Sequence, residues 1–333
     1  MFRAGKTVNR QGGPRILVVR LGSMGDIVHT LPAVATLKHG FPGSTLTWVV
    51  HPRWTPLLEG NPYVDRVVRF DRRSGASFRE AWRGLRASPY EFAVDFQGLI
   101  QSALVATVAR PDHLFGFHQS QVRERLSALF YSDRVRAVSA HVIDRNLELA
   151  RAAGAATILK TFPLPEGLPE GDLPDEEFVL ACPMAGWAGK QWPIGSYSVL
   201  AAQLRSELGV GLVLNGPPSA APQLATVAGA RVHVSGISGL ICATRRAIAV
   251  VGCDSGPVHL AAALGRPGVA IFGPTDPARN GPYGDTFTVL RSAAAGTTYK
   301  RRSEPEESMR DITPEAVVEA LRARIGARRP ASI

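Results

Sequence analysis

Cysteine is scarce. Cys182, Cys242 and Cys253 are too few and too scattered to frame a disulfide scaffold or supply a metal-ligand pair. Each sits in an apolar context and is expected to be a small buried hydrophobe in a reducing compartment. No run of about 18 apolar residues occurs, so no transmembrane helix is expected. Met1–Pro14 is polar and basic and lacks the apolar stretch of a secretory signal. It reads as a frayed lead, and Ala327–Ile333 as a similar tail. The expected location is the cytoplasm, with at most peripheral attachment to a membrane. An aromatic-rich basic groove and the common nucleic-acid motifs are missing too, so no nucleic-acid partner is expected.

The chain does contain ample core and a surplus of positive charge. Apolar residues make up 45% and charged residues 20% of 333 positions, which suits two globular domains of about 150 residues each. The formal net charge is +10. Residues 1–150 carry 20 Lys/Arg against 12 Asp/Glu, so +8 of that surplus lies in the first half. Such a half attracts an anionic membrane or a phosphorylated ligand, although an Arg-rich solvated surface accounts for the count equally well.

Strand and helix patterns alternate from the start. Arg15–Arg20 is a β-branched apolar run, Leu21–Asp26 a small-residue loop, and Ile27–His39 has apolar residues at helical spacing. Further strands are expected at Leu46–Val50, Val64–Phe70 and Phe92–Phe96, with helices at Arg53–Glu59, Ser77–Ala87, Ile100–Ala109 and His141–Ala153. The Pro-, Gly- and acid-rich stretch Phe162–Glu176 is the best linker. Beyond it the theme repeats, with strands at Phe178–Cys182, Gly211–Leu214, Arg231–Val234, Ala247–Gly252 and Val269–Phe272. Helices are expected at Ser196–Leu208, Ser238–Arg245, Pro257–Leu264 and Thr313–Ile325. This pitch predicts two parallel, doubly wound α/β domains, with a ligand in the cleft between their sheets' C-terminal ends.

Four loops at those ends carry chemistry-bearing residues. Gly22-Ser23-Met24-Gly25-Asp26 brings backbone close to a ligand, and Asp26 is either a helix cap or a functional carboxylate. It lacks the full glycine fingerprint of a dinucleotide site. Asp254-Ser255-Gly256-Pro257-Val258-His259 ends a strand and opens a helix, a ready phosphate cradle. Asp254 and Ser255 double as cap residues there, and His259 as a packed histidine between domains. Gly273-Pro274-Thr275-Asp276-Pro277 is a turn or a ligand loop. Lys190 follows a glycine loop and would reach a phosphate as a mobile point charge, with Trp192 as packing. Arginines at 66, 69, 72, 73, 79, 83, 86, 123 and 125 are mostly a solvated face.

In this order the segments resemble the bacterial lipopolysaccharide heptosyltransferases, over nearly the whole chain from about Arg15 to Ile325. R-I-L-V-V-R-L-G-S-M-G-D-I-V-H-T-L-P is similar to the family's opening, and L-L-E-G-N-P-Y-V-D-R-V-V to its next segment. Y-E-F-A-V-D-F-Q-G-L-I-Q-S-A, R-E-R-L-S-A-L-F-Y and H-V-I-D-R-N-L-E-L-A are closest to the first transferase of that pathway. G-C-D-S-G-P-V-H-L-A-A-A-L-G-R-P and F-G-P-T-D-P are the most specific markers, and S-M-R-D-I-T-P-E resembles the closing segment.

The resemblance implies a GT-B fold, two facing Rossmann-like domains. The acceptor domain would be residues 15–162, the linker 163–176 and the nucleotide-sugar domain 177–326. It implies Asp26 as general base, with Ser23, Met24 and Gly25 as its loop. Lys190, Asp254, Ser255, Gly256 and His259 would hold the donor, joined by Thr275 and Asp276. Arg72, Arg73, Arg123 and His141 would gather acceptor phosphates and carboxylates. The implied reaction is inverting transfer of a heptose from ADP-heptose to Kdo-bearing lipid A, by a monomer, at the anionic inner membrane. No cofactor or metal is implied. Two features depart from the family: Ala185-Gly186 replaces an adjacent Thr pair, and Asn215–Ser219 lacks the Glu expected at the nucleotide ribose. Another nucleotide-sugar, or an outer-core, capsule or protein acceptor, therefore stays open, as does a non-catalytic binding module.

Overall fold

The computed structural model describes residues 13–87, 89–298, 300 and 304–327. The expected lead up to residue 12 and the tail beyond residue 327 lie outside the described residues.

The first half runs β1 (Arg15–Val19), α1 (Met24–Gly40), β2 (Thr45–Val50), β3 (Arg66–Arg69), α2 (Gly75–Arg86), β4 (Phe92–Asp95), α3 (Ile100–Val108), β5 (His113–Phe117), β6 (Asp133–Val135) and α4 (Val142–Ala152). Its strands form one parallel sheet in the order β3-β2-β1-β4-β5-β6. The second half runs β7 (Phe178–Cys182), α5 (Ser196–Gln203), β8 (Gly211–Gly216), α6 (Ala221–Leu224), β9 (Ala230–Val234), α7 (Ile237–Arg246), β10 (Ala249–Cys253) and α8 (Gly256–Ala263). It continues through β11 (Gly268–Phe272), α9 (Pro277–Asn280), β12 (Phe287–Arg291), α10 (Glu307–Arg310) and α11 (Pro314–Gly326). Its sheet, read β9-β8-β7-β10-β11-β12, repeats the order of the first and is also parallel. In each sheet the order reverses beside the first strand, between β1 and β4 and between β7 and β10. Open α/β sheets bind ligands outside the strand ends at such a switch point.

Period-two alternation explains why the central strands read as continuous apolar runs: both faces are buried. In β1, Ile16 and Val18 join one core while Leu17 and Val19 join another beneath α2 and α3. In β7, Phe178, Leu180 and Cys182 enter the first of these cores, and Val179 and Ala181 pack toward α5 and α11. That first core spans both halves, because α1 and α4 from one side meet α7 and α8 from the other. The Pro-rich connecting segment is an ordered strap. Asn61 Nδ2 donates to the Pro163 carbonyl at 3.1 Å, Arg245 Nη2 to those of Leu164 and Pro165, and the Gly236 N–H to Glu170 Oε2 at 2.6 Å.

Three strands were not expected from the sequence. β6 has three residues and β12 is half-exposed, and both are edges with little apolar signal. β5 is buried, but Gly116 interrupts its pattern. A Cβ there would lie 2.3 Å from the Tyr131 ring, so packing demands the glycine. Other boundaries moved. The helix expected over Ser196–Leu208 turns to π geometry at Leu204–Leu208, and Asn215, expected in a loop, lies within β8. The short helix expected at Arg53–Glu59 is the 3-10 turn Pro52–Leu58, which holds two prolines. Cys182 and Cys253 are buried as expected, but Cys242 only partly.

Asp95, at the end of β4, ties these loops together. Its fully buried carboxylate accepts from Ser102 Oγ and Tyr131 Oη, each at 2.8 Å, and from the Gln97 N–H at 2.8 Å. Burial pushes this carboxyl up from its usual value against the pull of these donors. Removing one donor leaves a buried acceptor short of a partner, so Tyr131→Phe should cost about 1–3 kcal/mol of stability. A urea unfolding midpoint equal to the wild type's would contradict this.

Candidate active site

The first set of residues is built by the loop after β1. Arg20, only 8% exposed, donates through Nη1 to the Phe96 carbonyl and pairs through Nη2 with Asp26 Oδ1. The Leu21 N–H donates to Gln97 Oε1 at 2.6 Å, so β4 holds the end of β1. Ser23 is the N-cap of α1 and Asp26 its third residue. Asp26 Oδ2 accepts the Ser23 backbone N–H at 2.8 Å and its hydroxyl at 3.0 Å, the reach-back of a capping box. The carboxylate therefore does cap the helix, yet its side chain stays 37% exposed, fixed by groups on both sides.

The second set lies after β7, β10 and β11. Asp254, immediately beyond β10, is buried, and its two oxygens have separate partners. Lys190 Nζ is 2.5 Å from Oδ2, and His259 Nε2 is 3.3 Å from Oδ1. Burial pushes the Asp254 carboxyl up, but the His259 hydrogen bond and charge, with the Lys190 ammonium, outweigh it and hold the group well below the usual carboxylate range. Lys190, expected to be mobile, is nearly buried and also lies 4.0 Å from the Trp187 ring centroid. Trp192 is packing, as expected, and donates to the Ile312 carbonyl at 2.8 Å. Ser255 is the N-cap of α8, with Pro257 in its first turn, but its hydroxyl caps nothing. Ser255 Oγ, Thr275 Oγ1 and Ser308 Oγ are all buried with no hydrogen-bond partner among the described residues, next to strand ends. Buried hydroxyls are normally paired, so these three suit an oxygen-rich ligand. Asp276 is engaged instead as the cap of α9, accepting the Ala278 N–H at 2.9 Å.

Two glycines bring the sets together. A Cβ on Gly25 would stand 2.7 Å from His259 Cδ2, and one on Gly256 would stand 2.7 Å from Met24 Cβ. The N-termini of α1 and α8 therefore abut, with the His29 and His259 rings 4.3 Å apart behind them. The Asp26 carboxylate on one sheet thus sits beside the Lys190–Asp254–His259 set on the other.

A family profile, glycosyltransferase family 9 (heptosyltransferase), matches residues 78–309. The chain belongs to this family. Lipopolysaccharide heptosyltransferase 1 of Escherichia coli strain K12 is 27% identical, covering 92% of this chain and 99% of the relative. The Pseudomonas aeruginosa enzyme of the same name is 29% identical over 84% of each. Among solved structures, E. coli heptosyltransferase WaaC with ADP has a TM-score of 0.75 at 26% identity, covering 93% of this chain and 99% of that one. E. coli heptosyltransferase II has the same fold, with a TM-score of 0.76 at 24% identity over 94% of this chain and 99% of that one. The fold is therefore GT-B, and the chain is a glycosyltransferase.

Against this glycosyltransferase fold, the residues expected to bind acceptor divide. Arg72 and Arg73, in the turn after β3, and Arg123, in the loop after β5, are exposed at the sheet's C-terminal edge. His141 is committed elsewhere. Its Nδ1 caps α4 by accepting the Ile143 N–H at 3.2 Å, and its Nε2 meets the Gly281 carbonyl at 3.0 Å across the halves. Beside it Tyr283 Oη donates to Asp144 at 2.7 Å and accepts from Lys160 at 2.6 Å. Arg20 and His29 were missed from the sequence. Their signals were a charge ending a buried strand and a histidine one turn beyond Asp26.

Burial, then the charges of His259, His141 and Arg20, hold His29 well below its usual value of 6.5, and burial foremost lowers His141. The unfolded chain therefore binds protons near pH 6.5 that the folded chain refuses, so stability is full above that value and falls as pH drops below it. The melting temperature should fall between pH 7.5 and 5.5, and His29→Gln should flatten that slope. An unchanged slope in the variant would remove His29 from the account.

Proposed function

We propose that this glycosyltransferase moves L-glycero-D-manno-heptose from ADP-heptose onto the Kdo of a phosphorylated lipid A-type acceptor, with inversion and without a metal. One observation carries the reading: the half-exposed Asp26 carboxylate at the N-terminus of α1, against a helix α8 that opens beside the buried Lys190–Asp254–His259 set. ADP in the WaaC relative of the same fold supports the choice of nucleotide.

Asp26 takes the proton from the acceptor hydroxyl as its oxygen attacks the anomeric carbon, and Ser23, Met24 and Gly25 shape that loop. The bond from that carbon to the β-phosphate oxygen breaks on the opposite face, so the centre inverts and ADP leaves. Lys190 turns from Asp254 toward the diphosphate as negative charge develops there, with Gly256 and His259 beside it. These cationic and N–H groups do what a divalent cation does elsewhere, which supports metal independence. Asp254, freed on one oxygen, accepts sugar hydroxyls, and the unpaired Ser255 and Thr275 hydroxyls take oxygens of the donor. Asp276 supports the Thr275 loop as a cap. Arg72, Arg73 and Arg123 draw acceptor phosphates and carboxylates, while His141 contributes by holding the halves together. We place the enzyme in the cytoplasm, as a monomer peripheral to the inner membrane.

A second donor has one observation in its favour. Asn215 is buried at the end of β8, with Nδ2 2.8 Å from Ser235 Oγ, and no Glu stands in the following loop for the ribose. The experiment is ADP release from ADP-heptose with de-acylated Kdo-lipid A, in EDTA. Wild type should show acceptor-dependent release, and Asp26→Asn should lose about 10²–10⁴ in rate. Absence of release by the wild type, followed by turnover of another nucleotide-sugar, would transfer the proposal to that donor.

A further inference from the structure

The face of the first sheet opposite α1 is covered by α2, α3 and the 3-10 turn Arg125–Phe130, with α3 packed between the other two. Small and aliphatic side chains seat these elements on the sheet: Ala81 and Leu85 of α2, Ala103 and Ala106 of α3, and Ala128 of the turn. Large apolar side chains remain outside. Phe78 is 45% and Trp82 41% exposed on α2, Leu126 61% and Leu129 65% on the turn, with Leu104 and Phe130 also exposed. Single exposed leucines need no explanation, but six large apolar residues on three adjoining elements mark an interaction surface.

The chemistry of the partner follows from charge. Around α2, at about 3.6 residues per turn, Arg86, Arg79 and Arg83 succeed Phe78 and Trp82. The Arg86 guanidinium lies 5.5 Å from the Trp82 ring centroid, and Arg66, Arg79 and Arg83 line an open groove of about 680 Å³. Glu80 is the helix's one acid. A second copy docked symmetrically on this face would set arginines against their own images. A bilayer with anionic headgroups satisfies both parts, aromatics at the acyl boundary and arginines on phosphates. Among the described residues no helix is long and apolar enough to cross a membrane, so the contact is superficial.

We propose that the chain lies on an anionic bilayer through this face, with Phe78 and Trp82 inserted and Arg79, Arg83 and Arg86 on lipid phosphates. α2 starts just after Arg72 and Arg73, and the 3-10 turn just after Arg123. The docked face therefore borders the loops assigned to a lipid-anchored acceptor, a consequence that rests on the transfer reading above, whereas the docking itself does not.

Co-sedimentation of the full chain with vesicles of phosphatidylglycerol and phosphatidylcholine, against phosphatidylcholine alone, tests this. Binding should need the anionic lipid and weaken with salt. Arg79→Ala/Arg83→Ala should weaken it about 25-fold, about fivefold per arginine, and Phe78→Ser/Trp82→Ser should weaken it at unchanged melting temperature. Brominated lipid should quench a tryptophan signal that Trp82→Phe removes. Binding unchanged in both double variants, or no quenching at Trp82, would overturn the proposal. So would self-association abolished by the Phe78/Trp82 change without vesicle binding. Transfer to a de-acylated, soluble acceptor should be unaffected in these variants. Vesicle binding without transfer by the wild type would count against the transfer reading alone.

Discussion

Two helix N-termini meet with a glycine of each facing a side chain of the other, and the geometry of the site depends on that contact. Gly25 of α1 makes room for the His259 ring, and Gly256 of α8 makes room for Met24. Any Cβ at either position would force the helices apart, and with them the carboxylate of Asp26 and the ion-paired set on the other sheet. Both helices start at a switch point, which is where a doubly wound sheet leaves space for a ligand. The glycines bring two such spaces side by side.

The contact is supported from behind by a core that both halves share. Apolar faces of α1, α4, α7 and α8 merge there, and the three histidines His29, His141 and His259 lie within it. Burial lowers the pKa of both His29 and His141, which disfavours charge at the join. At its edge Asp144, Lys160 and Tyr283 bind one another across the halves. These links leave the strand ends as the open side, toward which Arg72, Arg73 and Arg123 contribute positive charge.

Charge is distributed to match. Negative groups at the site are individually paired, Asp26 with Arg20 and Asp254 with Lys190, and His259 Nε2 lies 3.3 Å from Asp254. The surplus of the first half therefore stays on the surface, largely as arginines of β3, α2 and the loop after β5. Such a surface attracts polyanions.

Much of this was legible in the sequence. Short apolar runs such as Arg15–Arg20 and Val269–Phe272 specified buried parallel strands, and the glycine-containing loops after them marked the candidate site. Asp26 was legible as a residue of the helix start, but the helix expected from Ile27 begins at Met24 with Ser23 as its N-cap. Edge strands such as β6 and β12 were illegible because their pairing is a property of the neighbouring strand, not of their own residues. Gly116 was misleading for a related reason: it is required by Tyr131, fifteen residues away. The sequence by itself determined the two sheets, the residue types of the site and its family. Only the tertiary structure decided that Lys190 and His259 share Asp254, that Arg20 clamps Asp26 and that His141 ties the halves. Those contacts join residues up to 140 positions apart, and local periodicity carries no information about which distant side chain will supply a buried charge with its partner.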